Sequence, residues 1–231
     1  PVPAGNEVHP VDRLVTQGAA VGGLTREQLV SLGGDPFEMT PAALRLSRSA
    51  NAVANLHGET ARTMWARVEG AAPIHSVTNG VHLPTWQDRD IAALKDGAPE
   101  DLWERHLVLK RELIDAIEAS NGVRLDEDVL LIGFARRAAT YKRATLVLRD
   151  LEWLAPLIQA NKVQIVFSGK AHPKDEGGKA LVREIAKMAA EYPQHIVFLQ
   201  NYGMRLGALL TRGCDVWLNT PRRPQEASGT S

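Results

Sequence analysis

The chain contains 231 residues, and its 27 basic and 27 acidic side chains give a formal net charge of zero at neutral pH. This balance argues against nucleic acid or an anionic membrane as a partner, and the sequence has no apolar run of membrane-spanning length. The one cysteine, Cys214, excludes an internal disulfide and favours a reducing, cytoplasmic location, where it is expected to be a core residue. A chain of this length can form one large domain or parts of two.

The first part of the chain gives few regular signals. Thr25 with Gln28 three residues later is a capping box, which predicts a short helix that stops at Gly33-Gly34. Thr40-Pro41 predicts a longer helix that starts with Thr40 as its N-cap and extends to about residue 67.

Residues 71–86 are predicted to be irregular. Pro84 is expected to keep His82 and Leu83 extended, because the proline ring disfavours a helical conformation in the residue before it. His75 and His82 are of the type that binds metals, but no third ligand follows at a suitable spacing. No metal site is therefore predicted.

Beyond residue 98, helical periodicity alternates with short apolar runs. Helices are predicted at 99–120, 145–159, 179–192 and 204–211, and strands at 129–134, 163–167, 195–199 and 215–218. Such alternation is typical of parallel strands joined by right-handed helical crossovers. We therefore predict an α/β fold in which a doubly wound, Rossmann-like domain begins near residue 79 and follows the end of another domain.

The carboxyl ends of parallel strands are where ligands bind in such a fold. Four basic side chains are predicted at this edge, and arginine and lysine are the residues that hold phosphate. They are Arg136, Arg137, Lys142 and Lys170. A phosphate site and a set of solvated surface cations both remain open from the residues alone.

The last predicted strand leads into a loop of small polar residues that contains Glu226. Loops of this kind present backbone N–H groups to a ligand, and a carboxylate among them suits a neutral polyol better than a second phosphate. A solvated connection after an edge strand is the alternative.

Several motifs together resemble one enzyme family. They are Thr78-Asn79-Gly80 with Trp86, Arg136-Arg137 with Tyr141-Lys142-Arg143, Gly169-Lys170-Ala171, Asn201-Tyr202, and Glu226-Ala227-Ser228-Gly229-Thr230. In this order they resemble the α-glucan (glycogen, starch and maltodextrin) phosphorylases, and most closely the shorter bacterial branch of that family.

The resemblance implies a two-domain architecture of the glycosyltransferase-B type, with a cleft between two Rossmann-like domains. Residues 1–78 would end the N-terminal domain on the glucan side, and residues 79–231 would begin the C-terminal domain on the phosphate and cofactor side. The implied reaction transfers the terminal glucosyl unit of an α-1,4-glucan to inorganic phosphate, giving α-glucose 1-phosphate with retention. A homo-oligomer is compatible with the resemblance.

The resemblance also assigns residues to phosphate and to a pyridoxal phosphate cofactor. Arg137 and Lys142 would act in catalysis by holding the substrate phosphate. Residues around the cofactor would be Arg136, Lys142, Trp86, Tyr202, Thr230 and Ser231. Because the family's cofactor lysine is expected beyond Ser231 and its cleft histidine before Pro1, the 231 residues by themselves are expected to be an inactive internal fragment.

On the glucan side, the resemblance implies that Glu226, Ser228 and Gly229 hydrogen-bond the glucosyl hydroxyls. Asn79 would reach the 6-hydroxyl, and Val53 would line the sugar pocket. Arg143, although it follows Lys142 directly, is expected to point away from the phosphate.

Two other classes of protein remain. A nucleotide-sugar glycosyltransferase of the glycogen synthase type would share the two-domain architecture, but has no use for a Glu-Ala-Ser-Gly-Thr loop that leads to a lysine. A non-catalytic carbohydrate-binding protein does not need the cations between Arg136 and Arg143, because its glucan ligand is neutral.

Overall fold

The computed structural model describes residues 6–19 and 22–222. Contacts within the chain divide it into two compact units, one that ends at Gly80 and one that begins at Val81. Within the described residues, no helix is long and apolar enough to cross a membrane.

The first unit combines short strands with four helices among its described residues. Its elements are β1 (Val8–His9), α1 (Val11–Thr16), α2 (Arg26–Gly33), β2 (Phe37–Glu38), α3 (Met39–Leu46), β3 (Ala50–Ala52), α4 (Asn55–Trp65) and β4 (Ile74–Ser76). β1 pairs with β2 in antiparallel fashion, whereas β3 and β4 are parallel. A small core of Val11, Leu29, Phe37 and Ala42 holds its first half together.

The capping box of α2 is confirmed. The Thr25 hydroxyl accepts a hydrogen bond from the backbone N–H of Gln28 (3.2 Å), and the Gln28 side chain accepts one from the N–H of Thr25 (2.8 Å). Two backbone donors at the helix start are thereby satisfied, as the sequence predicted.

The single long helix predicted from Thr40 to about residue 67 is wrong. The segment forms α3 and α4 with β3 between them, and Glu38 rather than Thr40 occupies the N-cap position. The helix is interrupted because Ala50–Ala52 pair in register with Ile74–Ser76 of β4. These hydrogen bonds to a distant strand override the local helical preference of the alanine-rich segment.

The prediction that residues 71–86 are irregular is also wrong in part. The range contains β4 and a short helix, α5 (Leu83–Trp86). Pro84 lies in the first turn of α5, where its missing N–H leaves no hydrogen bond unmade. Leu83 is therefore helical and not extended.

In the second unit, helices alternate with parallel strands as predicted. After α5 come α6 (Arg89–Ala93), α7 (Pro99–Asn121), β5 (Leu130–Ala135), α8 (Leu151–Gln159), β6 (Val163–Ser168), α9 (Glu176–Glu191), β7 (Ile196–Leu199), α10 (Met204–Gly213) and β8 (Val216–Trp217). Gly122 ends α7 in the left-handed conformation, as the Asn-Gly pair predicted. The helix predicted to begin at residue 145 begins only at Leu151, because Asp150 caps it by accepting a hydrogen bond from the N–H of Trp153.

The four strands form one parallel sheet in the order β7-β6-β5-β8. One face packs against α7 and α10, through residues such as Ile117 and Leu210, and the other against α8 and α9, through Leu154 and Ile185. The predicted α/β class and parallel sheet are therefore confirmed. The chain builds outward from β5 to β7 and then returns to place β8 on the other side of β5, so the order reverses between β5 and β8.

A buried charge cluster fixes β8 in this position. The Asp215 carboxylate accepts hydrogen bonds from Lys110 Nζ, from the Leu131 N–H and from His106 Nε2, each at 2.7 Å. Lys110 is only 2% exposed, and its ammonium group also donates to the Val129 carbonyl (2.8 Å). The cluster thus joins α7, the start of β5 and the start of β8.

Burial by itself raises the pKa of Asp215. The hydrogen bonds from His106, Lys110 and the Leu131 N–H outweigh that effect, and the net result is a pKa below the ordinary value of 3.8. The ionised carboxylate is therefore the form that the fold stabilises.

We expect Lys110→Met to destabilise the chain by about 3–5 kcal/mol, because it leaves the Asp215 carboxylate buried without its cation. Urea unfolding measures the change. Arg111→Met is the matched control, since Arg111 pairs with Glu127 at the surface, where both side chains are nearly half exposed. It should cost no more than about 1 kcal/mol. Equal losses in the two variants would contradict a buried ion pair at Lys110.

The stability that Asp215 contributes should depend on pH. Because its pKa is lowered by folding from 3.8, this contribution is complete above that value and is lost as the pH falls through the folded pKa. The difference in unfolding free energy between the wild type and Asp215→Asn should therefore be constant near neutral pH and shrink below about pH 4. Urea titrations from pH 7 to pH 2.5 measure it, and a difference that widens in acid would contradict the lowered pKa.

Candidate functional site

The loop that follows β5 lies beside the loop that follows β6. The N–H of Arg136 donates to the Ser168 carbonyl (3.3 Å), and the N–H of Ala138 donates to the Lys170 carbonyl (3.0 Å). Ala138 and Ala171 form an isolated parallel bridge. The strand pairing thus continues past the ends of β5 and β6. It sets the direction of the loop at residues 136–143, which we call the basic loop.

Two glycines allow this close approach. Gly169 has a φ of +146°, and a Cβ atom at this position would collide with the carbonyl oxygen of Arg136. Gly178, in the first turn of α9, faces the Ala138 carbonyl in the same way. Gly177-Gly178 was not predicted as part of the site, although a glycine pair at a helix start is a detectable signal of close packing.

Arg136 connects the end of β5 to the end of β8. It is half-buried, and its Nη1 donates a hydrogen bond to the side-chain oxygen of Asn219, two residues beyond β8. The carboxyl ends of β5 and β8 flank the point where the strand order reverses, and this is where doubly wound sheets bind ligands. The structure therefore places Arg136 beside this switch point.

Lys142 lies in the same loop, at the end of a 3₁₀ turn (Thr140–Lys142). It is only 7% exposed, and its ammonium group lies 5.2 Å from the centre of the Tyr141 ring. Lysine is seldom buried without a specific partner, so this burial marks a built environment and not a solvated surface position.

Arg137 and Lys170 are exposed at this edge of the sheet. Within the described residues, the Arg137 guanidinium makes no hydrogen bond, so its planar fork is available to an anion. The loop therefore combines two anchored cations, Arg136 and Lys142, with an exposed arginine.

The side chains of Trp86 and Tyr202 both lie close to Gly207 of α10. A Cβ atom at Gly207 would lie 2.9 Å from the Tyr202 hydroxyl and 3.3 Å from the Trp86 ring. Arg212 holds α5 in place by donating to the carbonyls of Thr85 and Trp86, each at 2.8 Å. The two predicted cofactor residues thus share one small surface, which exists because residue 207 has no side chain.

Val53 and Asn79 lie together in the first unit, at the carboxyl ends of β3 and β4. The N–H of Asn79 donates to the Val53 carbonyl (3.0 Å), and the N–H of Val53 donates to Nδ1 of His57 (3.0 Å). Burial lowers the pKa of His57, which favours the neutral ring that this acceptor role requires. Both predicted sugar-binding residues are exposed.

The remaining predicted site residues, Glu226, Ser228, Gly229, Thr230 and Ser231, lie outside the described residues. Within residues 6–19 and 22–222, no three His, Cys, Asp or Glu side chains form a group that could hold a metal ion. Cys214 is a buried core residue as expected, and burial, together with the nearby Asp215 charge, raises its pKa to about 12.

The fold and the basic loop define a doubly wound α/β domain with cations at its switch point. Comparison with known proteins gives a more specific result, although no protein-family model matches the chain. The chain is 38% identical over 277 residues to a maltodextrin phosphorylase of Thermococcus litoralis, which covers all of this chain and 33% of that protein. It is also 38% identical over 290 residues to a glycogen phosphorylase of Mycobacterium tuberculosis, again over the whole chain and 34% of that protein.

A more distant relative is a glycogen synthase of Cellvibrio japonicus, 26% identical over 148 residues, which is 63% of this chain and 27% of that protein. The predicted resemblance is thus confirmed: the chain is homologous to a portion of the glycogen and maltodextrin phosphorylases. It spans about a third of the length of the phosphorylases it matches.

We expect Gly169→Ala to separate the loops after β5 and β6, because the new methyl group meets the Arg136 carbonyl and the φ of +146° is unfavourable for alanine. The stability loss should exceed about 1 kcal/mol, and the Ala138 amide should exchange faster with solvent. Gly122→Ala is the control, since Gly122 also has a positive φ (+70°) but open space around it. Similar stability and exchange in both variants would show that the close approach at Gly169 has no structural importance.

Proposed function

We propose that this chain is part of an α-glucan phosphorylase, which transfers the terminal glucosyl unit of an α-1,4-glucan to inorganic phosphate. The observation that carries the proposal is the buried Lys142 in the same loop as Arg136 and Arg137, after the carboxyl end of β5 and next to the switch point. The homology to glycogen and maltodextrin phosphorylases supports it.

The cations are proposed to hold the attacking phosphate. Arg137 would grip it through its exposed fork and Lys142 through a fixed charge, which orients one phosphate oxygen towards the sugar. Cleavage of the glycosidic bond develops positive charge on the sugar ring, and a phosphate held nearby stabilises that charge. This route needs no pair of hydrolytic carboxylates, because the phosphate supplies the nucleophilic oxygen, stabilises the positive charge and gives its proton to the departing glycosidic oxygen.

The residues present suit a pyridoxal phosphate cofactor. The Trp86 and Tyr202 rings meet at Gly207, where they would border a flat aromatic group, while Arg136 and Lys142 would attract its phosphate. When bound, the cofactor supplies a phosphate group that can give and accept a proton. Thr230 and Ser231 are proposed to complete the phosphate contacts, and the covalent lysine is proposed to follow Ser231.

On the sugar side, Glu226, Ser228 and Gly229 are proposed to bind the glucosyl hydroxyls, Asn79 the 6-hydroxyl, and Val53 to line the pocket. The hydrogen bond between the Asn79 N–H and the Val53 carbonyl supports a shared role for these two residues. We also propose that residues 1–78 end an N-terminal domain and 79–231 begin a C-terminal one, which agrees with the division of contacts near Gly80.

We also propose that the complete protein is a cytoplasmic enzyme that acts on α-1,4-glucan and phosphate and has neither nucleic acid nor a membrane as a partner.

An assay of the complete protein with maltodextrin and phosphate tests the proposed function. It is run before removal of pyridoxal phosphate, after its removal and after its return. Formation of glucose 1-phosphate only in the loaded samples is expected. Turnover of a nucleotide sugar in its place would favour the glycogen synthase class, to which the more distant relative belongs.

In the complete enzyme, Arg137→Ala should impair the use of phosphate far more than the binding of glucan. The loss of a charge-assisted contact of this kind costs roughly 2–5 kcal/mol, which is about 30- to several-thousand-fold in efficiency towards phosphate. Arg137→Lys should recover only part of the loss, because a point charge cannot reproduce the fork.

Arg149→Ala is the matched control for Arg137→Ala. Arg149 is an exposed arginine seven positions beyond Lys142, and it lies outside the proposed site. Its replacement should leave both kinetic parameters near the wild-type values. An equal loss of efficiency towards phosphate and towards glucan in Arg137→Ala would contradict the assigned role.

A further inference from the structure

We propose that Arg143 is a positioning residue, which holds the segment after β8 against the turn that carries Lys142. Its importance for catalysis rests on the function proposed above, whereas its structural action is independent of it. None of the contacts involved was predicted from the sequence, which indicated only that Arg143 points away from the phosphate.

The backbone of Arg143 is held in an unfavourable conformation. Its φ is +52° and its ψ +46°, in the left-handed region that residues with side chains seldom adopt. Glycine or asparagine would occupy this position at lower cost. An arginine held here indicates that its side chain makes interactions that offset the strain.

The guanidinium of Arg143 binds the backbone after β8. Its Nε donates to the Thr220 carbonyl (2.7 Å) and its Nη2 to the Pro221 carbonyl (3.3 Å). The side chain is half-buried, so these charge-assisted bonds are partly shielded from water. Two consecutive carbonyl groups of the segment are thus fixed by one planar fork.

The same segment binds back to the turn. The Thr220 hydroxyl lies 3.2 Å from the Lys142 carbonyl and 3.3 Å from the Arg143 carbonyl, so it donates one hydrogen bond shared between them. The N–H of Arg222 donates to the Tyr141 carbonyl (2.8 Å). Residues 141–143 and 220–222, which we call the clasp, are therefore joined through both side chains and backbone.

The clasp fixes two chain segments at the switch point relative to each other. One carries Lys142, which the proposed function assigns to phosphate. The other continues in the sequence towards Glu226, which the proposed function assigns to the glucosyl unit. Because an error of about 1 Å between reacting groups can reduce a rate about 100-fold, a residue that sets this distance affects turnover without contacting the substrate.

The test uses the complete enzyme and three variants. Arg143→Asn removes the fork but tolerates the left-handed backbone, so a loosening of the contacts in this variant reports the loss of the fork and not a change of backbone conformation. Arg143→Lys keeps the charge and cannot bind both carbonyls in the same geometry. Arg149→Asn removes an exposed arginine from the same region and serves as the control.

Two readouts are compared. Hydrogen exchange of a peptide that covers residues 218–222 reports on the clasp, and it should become faster in Arg143→Asn, by an intermediate amount in Arg143→Lys, and not in Arg149→Asn. Kinetics of maltodextrin phosphorolysis should show kcat lowered on the order of 10- to 100-fold in Arg143→Asn, with the KM for maltodextrin changed much less and with partial recovery in Arg143→Lys.

Unchanged exchange at residues 218–222 in Arg143→Asn overturns the proposal, whatever the activity. Faster exchange with an unchanged kcat, at a substrate level that saturates the folded enzyme, also overturns the positioning role and leaves Arg143 a purely structural residue. A wild-type enzyme without phosphorolysis, combined with faster exchange in Arg143→Asn, supports the clasp and refutes the proposed function.

Discussion

The ion pair between Lys110 and Asp215 is the interaction on which the arrangement of the site depends. Burying two charges is unfavourable unless each is neutralised and hydrogen-bonded, and here the Leu131 N–H, the Val129 carbonyl and His106 complete the partners. Their geometry is satisfied only when β8 starts beside β5. The cluster therefore holds β8 beside β5, at the point where the strand order reverses.

The contacts at the other end of these strands follow from this pairing. With β8 beside β5, the Arg136 side chain reaches Asn219, and Arg143 reaches the carbonyls of Thr220 and Pro221. The buried lysine at one end of the strands and the arginines at the other thus have different tasks. The lysine holds the start of β8 beside β5, and the arginines hold the loops that follow these two strands.

Glycine has a comparable part in the site, through the absence of a side chain. Gly169 lets the loop after β6 approach the backbone of the basic loop, and Gly178 does the same for the first turn of α9. Gly207 leaves room for the Trp86 and Tyr202 rings. The sequence indicated Gly169 within a motif, but the contacts of Gly178 and Gly207 involve carbonyl and ring atoms from distant parts of the chain. A glycine pair at a helix start can signal close packing, but the atoms that each glycine approaches are visible only in the folded protein.

The sequence by itself determined the alternation of helix and parallel strand in the second unit, the capping box of α2, and the family to which the chain is homologous. These depend on periodicity, on caps within four residues, or on the order of motifs along the chain, and none of them requires knowledge of which distant residues come into contact. The tertiary structure decided the interruption of the predicted helix at β3, the burial of Lys110 and the clasp at Arg143. Lys110 and Asp215 are 105 positions apart, and Arg143 and Thr220 are 77 apart, so their hydrogen bonds exist only after the sheet has brought them together. Local propensity carries no information about such partners, and a buried charge is stable only when the partner is present.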